Sequence, residues 1–229
     1  MHDRIRRAIL RGELPPAAVV SQVQLARDLG VSRTPLREAL RMLQREGLIE
    51  SEHNRRVRVA GFSLSDLEQL YIMRVTLEST AIRLTIPRLS PEDIASLEGE
   101  LAQMTHFDEQ DDFERWEVPH RAFHSLLVGG AGDRVSITLS QLSDHAERYR
   151  RLHATRVPEV KLRVAYEHRL IVDAAKAHNA ETGARRLGAH LAQTAFEVME
   201  FIDSSYKPEA LRETLEHLVG PDEPFGSSV

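Results

Sequence analysis

Apolar residues recur at i, i+3 or i+4, and i+7 along most of this 229-residue chain, the spacing that gathers them on one stripe of an α-helix. Ile5, Ala8 and Ile9 make such a stripe and Gly12 closes it, after which Pro15 and Pro16 force an extended link. Leu25, Ala26 and Leu29 make a second, ended by Gly30. Leu36, Leu40 and Leu43 make a third. Ser32 stands there as N-cap, Pro35 lies in a first turn whose amides need no helical partner, and Gly47 is the stop. Two short helices across a tight turn form a helix-turn-helix pattern. The period then changes: Leu48 to Glu50 and Val57 to Ala60 read as short strands around His53, Asn54, Arg55 and Arg56, a basic hairpin suited to be a wing.

After Gly61 the helical period returns and alternation is absent. Starts are signalled at Ser63 or Ser65, Pro91, Asp111 or Asp112, Asp133, Pro158 and Ala180, with capping-box spacing at Ser65 and Glu68. The expected fold is mostly α: an N-terminal winged helix-turn-helix with a small β wing over 1–61, and a C-terminal all-α bundle of about six helices over 62–205. Residues 206–229 should form a short helix around Leu211 to Leu218 and a disordered tail.

Charge separates the two parts. Residues 1–61 hold twelve Arg and no Lys against seven acids, a net of +5, and the remainder carries −10 of the chain's total of −5. The halves therefore face different partners, and the basic one suits nucleic acid. Arg33, Arg37, Arg41 and Arg45 lie largely outside the apolar stripe of their helix. A solvated face is the plain reading, and the basic hairpin beside it favours DNA. Arg4, Arg6, Arg7 and Arg11 on the first helix carry no assigned role. The chain has no cysteine, which excludes disulfides and thiolate metal sites and suits a reducing cytoplasm. No run approaches the roughly 18 apolar residues of a membrane span, so no membrane partner is expected.

The stretch LARDLGVSRTPLREALRMLQREGLIE resembles the winged-helix domain of the GntR family of bacterial transcription regulators, over roughly residues 2–60. The resemblance implies that Ser32, Arg33, Thr34 and Arg37 contact double-stranded operator DNA, and the basic hairpin adds Asn54, Arg55 and Arg56 as expected DNA contacts of the wing. Two positions depart from the family's pattern: Val23, where an arginine is frequent, and Arg56, where a glycine is usual.

In the helical part, polar residues occupy apolar positions. His120 and His124 fall on the side of Trp116, Phe123 and Leu127; His168 shares a face with Val164, Ile171 and Val172; His190 flanks Leu187, Leu191 and Val198. One buried histidine is usually a hydrogen-bonded core residue. Four without an ion would need four sets of partners, whereas an i, i+4 pair can grip one ion and neighbouring helices can add ligands. Arg74 and Glu78 also lie mid-stripe, either as a structural i, i+4 pair or with Arg74 set to take a ligand carboxylate.

YIMRVTLEST, HRAFHSLL and EHRLIVDAAKAHNAE, with His190 downstream, resemble the FCD ligand-binding domain of the FadR-like branch of that family, from about Ser65 to Asp203. That resemblance implies a divalent metal on His120, His124, His168 and His190 below a pocket for a small organic acid. His120 departs from the usual Asp. Neutral imidazoles favour Zn or Ni over Mg or Ca. The leading expectation is a cytoplasmic homodimeric repressor whose operator binding responds to a small carboxylate near Arg74 and Glu78. The alternatives are a helical half that only dimerises, and a metal-dependent enzyme with Glu167 or Glu78 as base.

Overall fold

The computed structural model describes residues 1–52, 56–154 and 159–220. His53, Asn54 and Arg55 of the expected wing, and the tail from 221, lie outside the described residues. Among the described residues the chain is mostly α, with one three-stranded sheet. It divides into two compact units, Met1–Ser63 with Asp144–Tyr149, and Leu64–Ser143 with Arg150–Val229.

The first unit contains α1 (His2–Leu10), β1 (Val19–Ser21), α2 (Gln22–Leu29), α3 (Arg33–Arg45), β2 (Ile49–Glu52) and β3 (Arg56–Val59). Its core is the apolar stripes meeting: Ile5 from α1, Leu25 and Ala26 from α2, Leu36, Leu40 and Leu43 from α3, with Ile49 and Val57 from the sheet. Strand β1 has no counterpart in the expected elements. It pairs antiparallel with β3, Val19 opposite Arg58, so β3 is central. Both helices of the turn end alike. At Gly30 (φ 67) the Val31 amide reaches back to the Ala26 carbonyl, and at Gly47 (φ 65) the Leu48 amide reaches the Leu43 carbonyl. Each end needs a left-handed residue, which glycine adopts without steric cost. Ser32 does occupy the N-cap position of α3, but its side chain makes no capping bond. Arg6 of α1 is half-buried and ion-paired with Glu46 and Glu147.

The second unit contains α4 (Leu64–Thr85), α5 (Pro91–Glu109), α6 (Phe113–Val128), α7 (Asp133–Ala154) apart from its Asp144–Tyr149 segment, α8 (Glu159–Lys176), α9 (Ala180–Ile202) and the short α10 (Glu209–Val219). The expected capping box at Ser65 and Glu68 does not form. Glu68 instead accepts from the Leu211 amide at 3.1 Å and from the Tyr206 hydroxyl, fastening the start of α10. The capping box lies at Ser90 and Asp93, on α5. Gly188 lets α9 lie close to α4 and α10: a Cβ there would stand 2.9 Å from Ser79 Oγ and 2.7 Å from Val219 Cγ2. Among the described residues no helix is long and apolar enough to cross a membrane.

Candidate functional site

In the first unit the amphipathic α3 buries Leu36, Ala39, Leu40 and Leu43 and turns its other face out. Ser32, Arg33, Thr34 and Arg37 are all exposed, as is Arg56 at the start of β3. Arg33, Arg37 and Arg41 line a groove that also takes in Gln22 at the start of α2 and Gln44 near the end of α3. Neither glutamine stood out in the sequence, since a polar residue on an exposed helix face has no distinguishing period. The groove lies within one unit; guanidinium donors and amides that both donate and accept share its lining with apolar side chains such as Val23 and Ile49.

The second unit brings the four histidines together. His120 and His124 come from α6, His168 from α8 and His190 from α9, all buried, and each offers a ring nitrogen within 4.8 Å of the others'. Ring centroids of the pairs His120–His124 and His168–His190 are each 4.6 Å apart. Trp116 stacks on His120 at 4.4 Å, so the cluster has an aromatic wall. Several of its nitrogens are buried with no hydrogen-bond partner: Nδ1 of His120, both nitrogens of His124 and Nε2 of His168. Buried polar groups are normally satisfied; Nδ1 of His120 and of His124 face the Glu117 and Glu78 carboxylates at 3.7 and 3.5 Å, which leaves Nε2 of His124 and of His168 as buried lone pairs, a donor type that fits a cation of the imidazole-preferring class.

Protonation agrees with that donor set. Burial lowers the pKa of His124 to about 4, although the nearby Glu78 carboxylate pulls it back up. Burial, and the approach of the other imidazoles, push His120 and His168 well below the usual histidine range. At neutral pH these rings are uncharged and able to donate lone pairs. Burial pushes Glu78 up, but the Arg74 charge and the His124 contact outweigh it and lower its pKa to about 2. Because His124 is itself neutral at pH 7, Arg74 is the partner that matters there.

Arg74 and Glu78 form a buried ion pair, Nε donating to Oε1 at 2.8 Å, with the guanidinium over the Tyr71 ring. Both also line a small cavity of about 60 Å³, together with Arg121, His124 and serine hydroxyls of α6 and α7. The same two residues therefore form the structural pair and line the cavity. Glu167 is engaged as well: it accepts from His190 Nδ1 at 2.7 Å and is paired with Arg163.

Comparison with known proteins covers both units. The profile of bacterial regulatory proteins, gntR family, matches residues 1–59, and that of the FCD domain matches residues 69–193. An uncharacterized HTH-type transcriptional regulator of Bacillus subtilis (strain 168), YdhC, is 28% identical over 192 residues, 82% of this chain and 85% of its own. The HTH-type transcriptional repressor GlaR of Escherichia coli (strain K12) is 28% identical over 151 residues, 64% of this chain and 69% of its own. The structure of E. coli McbR/YncC superposes with a TM-score of 0.75 at 22% identity, covering 88% of this chain and 96% of that one, a likeness of fold. With the FCD profile spanning more than half of its length and the gntR profile spanning its winged helix, the chain belongs to the GntR family, whose members are DNA-binding transcription regulators and not enzymes.

Proposed function

We propose that the protein is a repressor that binds a palindromic operator as a homodimer, and that a small carboxylate bound beside a divalent ion in the helical unit alters its operator affinity. The observation that carries this reading is the convergence of four buried imidazoles next to a cavity lined by Arg74 and Arg121. A helical half that served only to dimerise would have no use for either.

On the DNA side, Ser32, Arg33, Thr34 and Arg37 contact the operator, and Asn54, Arg55 and Arg56 follow from the wing. One winged helix makes too few contacts for specific binding at physiological salt, and two related by a dyad supply enough. We assign the protein to the cytoplasm, where its operator is and where a cysteine-free chain is at home.

In the helical unit, His120, His124, His168 and His190 hold the ion, and neutral nitrogen donors favour Zn or Ni. When bound, such an ion would supply positive charge that attracts an anion. The chain supplies the rest: Arg74, held in place by Glu78, and Arg121 give cationic donors, and Ser125 and Ser140 give hydroxyls on the same cavity. A volume of about 60 Å³ is far below the ~300 to 1,000 Å³ of pockets for drug-sized ligands, which favours a short hydroxy acid over a sugar acid. Such an effector changes operator binding only if it binds two arrangements of the protein with different affinity. Typical coupling of about 1 to 3 kcal/mol corresponds to roughly 5- to 150-fold.

The test is calorimetry of zinc-loaded protein against a panel of short organic acids, followed by operator titration with the tightest binder. Binding of an anion should be lost in Arg74→Ala and in metal-stripped protein. A preference for uncharged or cationic compounds, or tight binding that persists in both controls, overturns the reading.

A further inference from the structure

Behind the histidines a buried carboxylate faces a ring Nδ1 three times, once as a hydrogen bond and twice at longer range. His190 Nδ1 donates to Glu167 Oε2 at 2.7 Å, and Glu167 is paired with Arg163. His124 Nδ1 stands 3.5 Å from Glu78 Oε2, and Glu78 is paired with Arg74. His120 Nδ1 stands 3.7 Å from Glu117 Oε2, and Glu117 is paired with Arg150. The three carboxylates come from α8, α4 and α6, and each is at most 5% exposed. His168 differs, with the Phe123 ring packed against it at 4.9 Å.

Burying a carboxylate costs several kcal/mol even when it is paired, and an apolar residue would brace a helix as well. Three such groups, each aimed at the Nδ1 of a different imidazole in one cluster, serve that cluster. A carboxylate hydrogen-bonded to Nδ1, as Glu167 is at His190, keeps the proton on that nitrogen, leaves the Nε2 lone pair for a cation, fixes the ring's orientation and raises its basicity; Glu78 and Glu117 stand where a small closing movement would do the same at His124 and His120. The arginine behind it fixes the carboxylate in turn, and each Arg–Glu pair is neutral, so the ring of pairs orients the imidazoles without cancelling the ion's charge.

We propose that Glu167 and Glu117 are positioning residues of the metal centre, holding His190 and His120 with Nε2 turned to the ion. Glu78 repeats the device at His124 while also lining the cavity. This inference rests on the metal reading above.

The experiment is competition for zinc between a chromophoric chelator and wild type, Glu167→Gln or Glu117→Gln, with the visible spectrum of the cobalt form as a second readout and melting of the metal-free proteins as a check of fold. Loss of such outer partners typically weakens metal binding 10- to 100-fold. Glu167→Gln should fall in that range with a shifted cobalt spectrum, and Glu117→Gln should lose less, its oxygen being more distant. Glu167→Asp keeps the charge beside Arg163 but withdraws the oxygen from His190. It too should bind zinc at least ten-fold more weakly, and it carries the test if the amide variant does not fold. Zinc affinity and cobalt spectra like those of wild type in folded variants overturn the inference alone. A wild type that takes no zinc overturns the metal reading and this inference with it.

Discussion

Two ion pairs of nearly equal length sit on helices in the two units. Arg41 and Glu38 on α3 meet at 2.9 Å with side chains 60% and 57% exposed; Arg74 and Glu78 on α4 meet at 2.8 Å with side chains 2% and 3% exposed. Distance does not distinguish them, but solvent does. On α3 water screens the pair, and the helix presents its arginines outward, available to phosphate and base edges. On α4 each member has lost its hydration and depends on the other, so the pair is a fixed part of a polar interior. One residue type is thus held out to solvent in the first unit and locked into a polar interior in the second.

The sharpest break of this comparison is truncation of the buried acid. Glu78→Ala leaves Arg74 buried without its carboxylate and should cost about 3 to 5 kcal/mol in urea denaturation. A cost below about 1 kcal/mol would mean that water reaches the pair and that the contrast with α3 is wrong.

Acid should act on the second unit next. In metal-free protein the folded pKa of His124 is about 4 against 6.5 for the free side chain, and burial also holds His120 and His168 well below the usual histidine range. Between those values the unfolded chain binds more protons than the folded one. Stability is therefore fully present above about pH 6.5 and falls as the pH drops towards 4, with His124 alone contributing roughly 3 kcal/mol at about 1.4 kcal/mol per pKa unit. Glu78, lowered to about 2 from 4.5, adds a loss in the same direction only below pH 4.5. Urea midpoints measured from pH 7.5 to 4.5 check this, and a flat profile would place the imidazoles in contact with water.

On the exposed side, Arg33→Ala and Arg37→Ala should each weaken operator binding by about 1 to 3 kcal/mol if they read base edges, with melting temperatures unchanged. Fluorescence anisotropy with labelled operator measures the first and calorimetric scanning the second. The smallest effect belongs to Glu38→Ala, which should cost less than about 1 kcal/mol of stability, and a larger loss would give the α3 pair the standing of the α4 pair.

How much of this was legible in the sequence depended on range. The helices of both units, and the inward aim of the four histidines, follow from a period of 3.6 residues read over one or two turns, and the i, i+4 pair at His120 and His124 is local. Strand β1 escaped because three residues after a proline pair are too few to display alternation, and only its pairing with β3, far along the chain, makes it a strand. Glu68 has the spacing of a capping residue, yet it is taken by Leu211 and Tyr206 from the other end of the chain. Glu117 was passed over for a like reason. A glutamate on a helix reads as solvated until Arg150, 33 residues later, and His120 are seen around it.

The most direct test of the account is elemental analysis of protein purified without a metal-affinity column, loaded with zinc and desalted. The account predicts one zinc ion per chain in wild type and none retained by the His124→Ala, His168→Ala double variant. Wild-type protein that emerges without zinc, or a double variant that retains it fully, would contradict the claim that these four histidines form a metal centre.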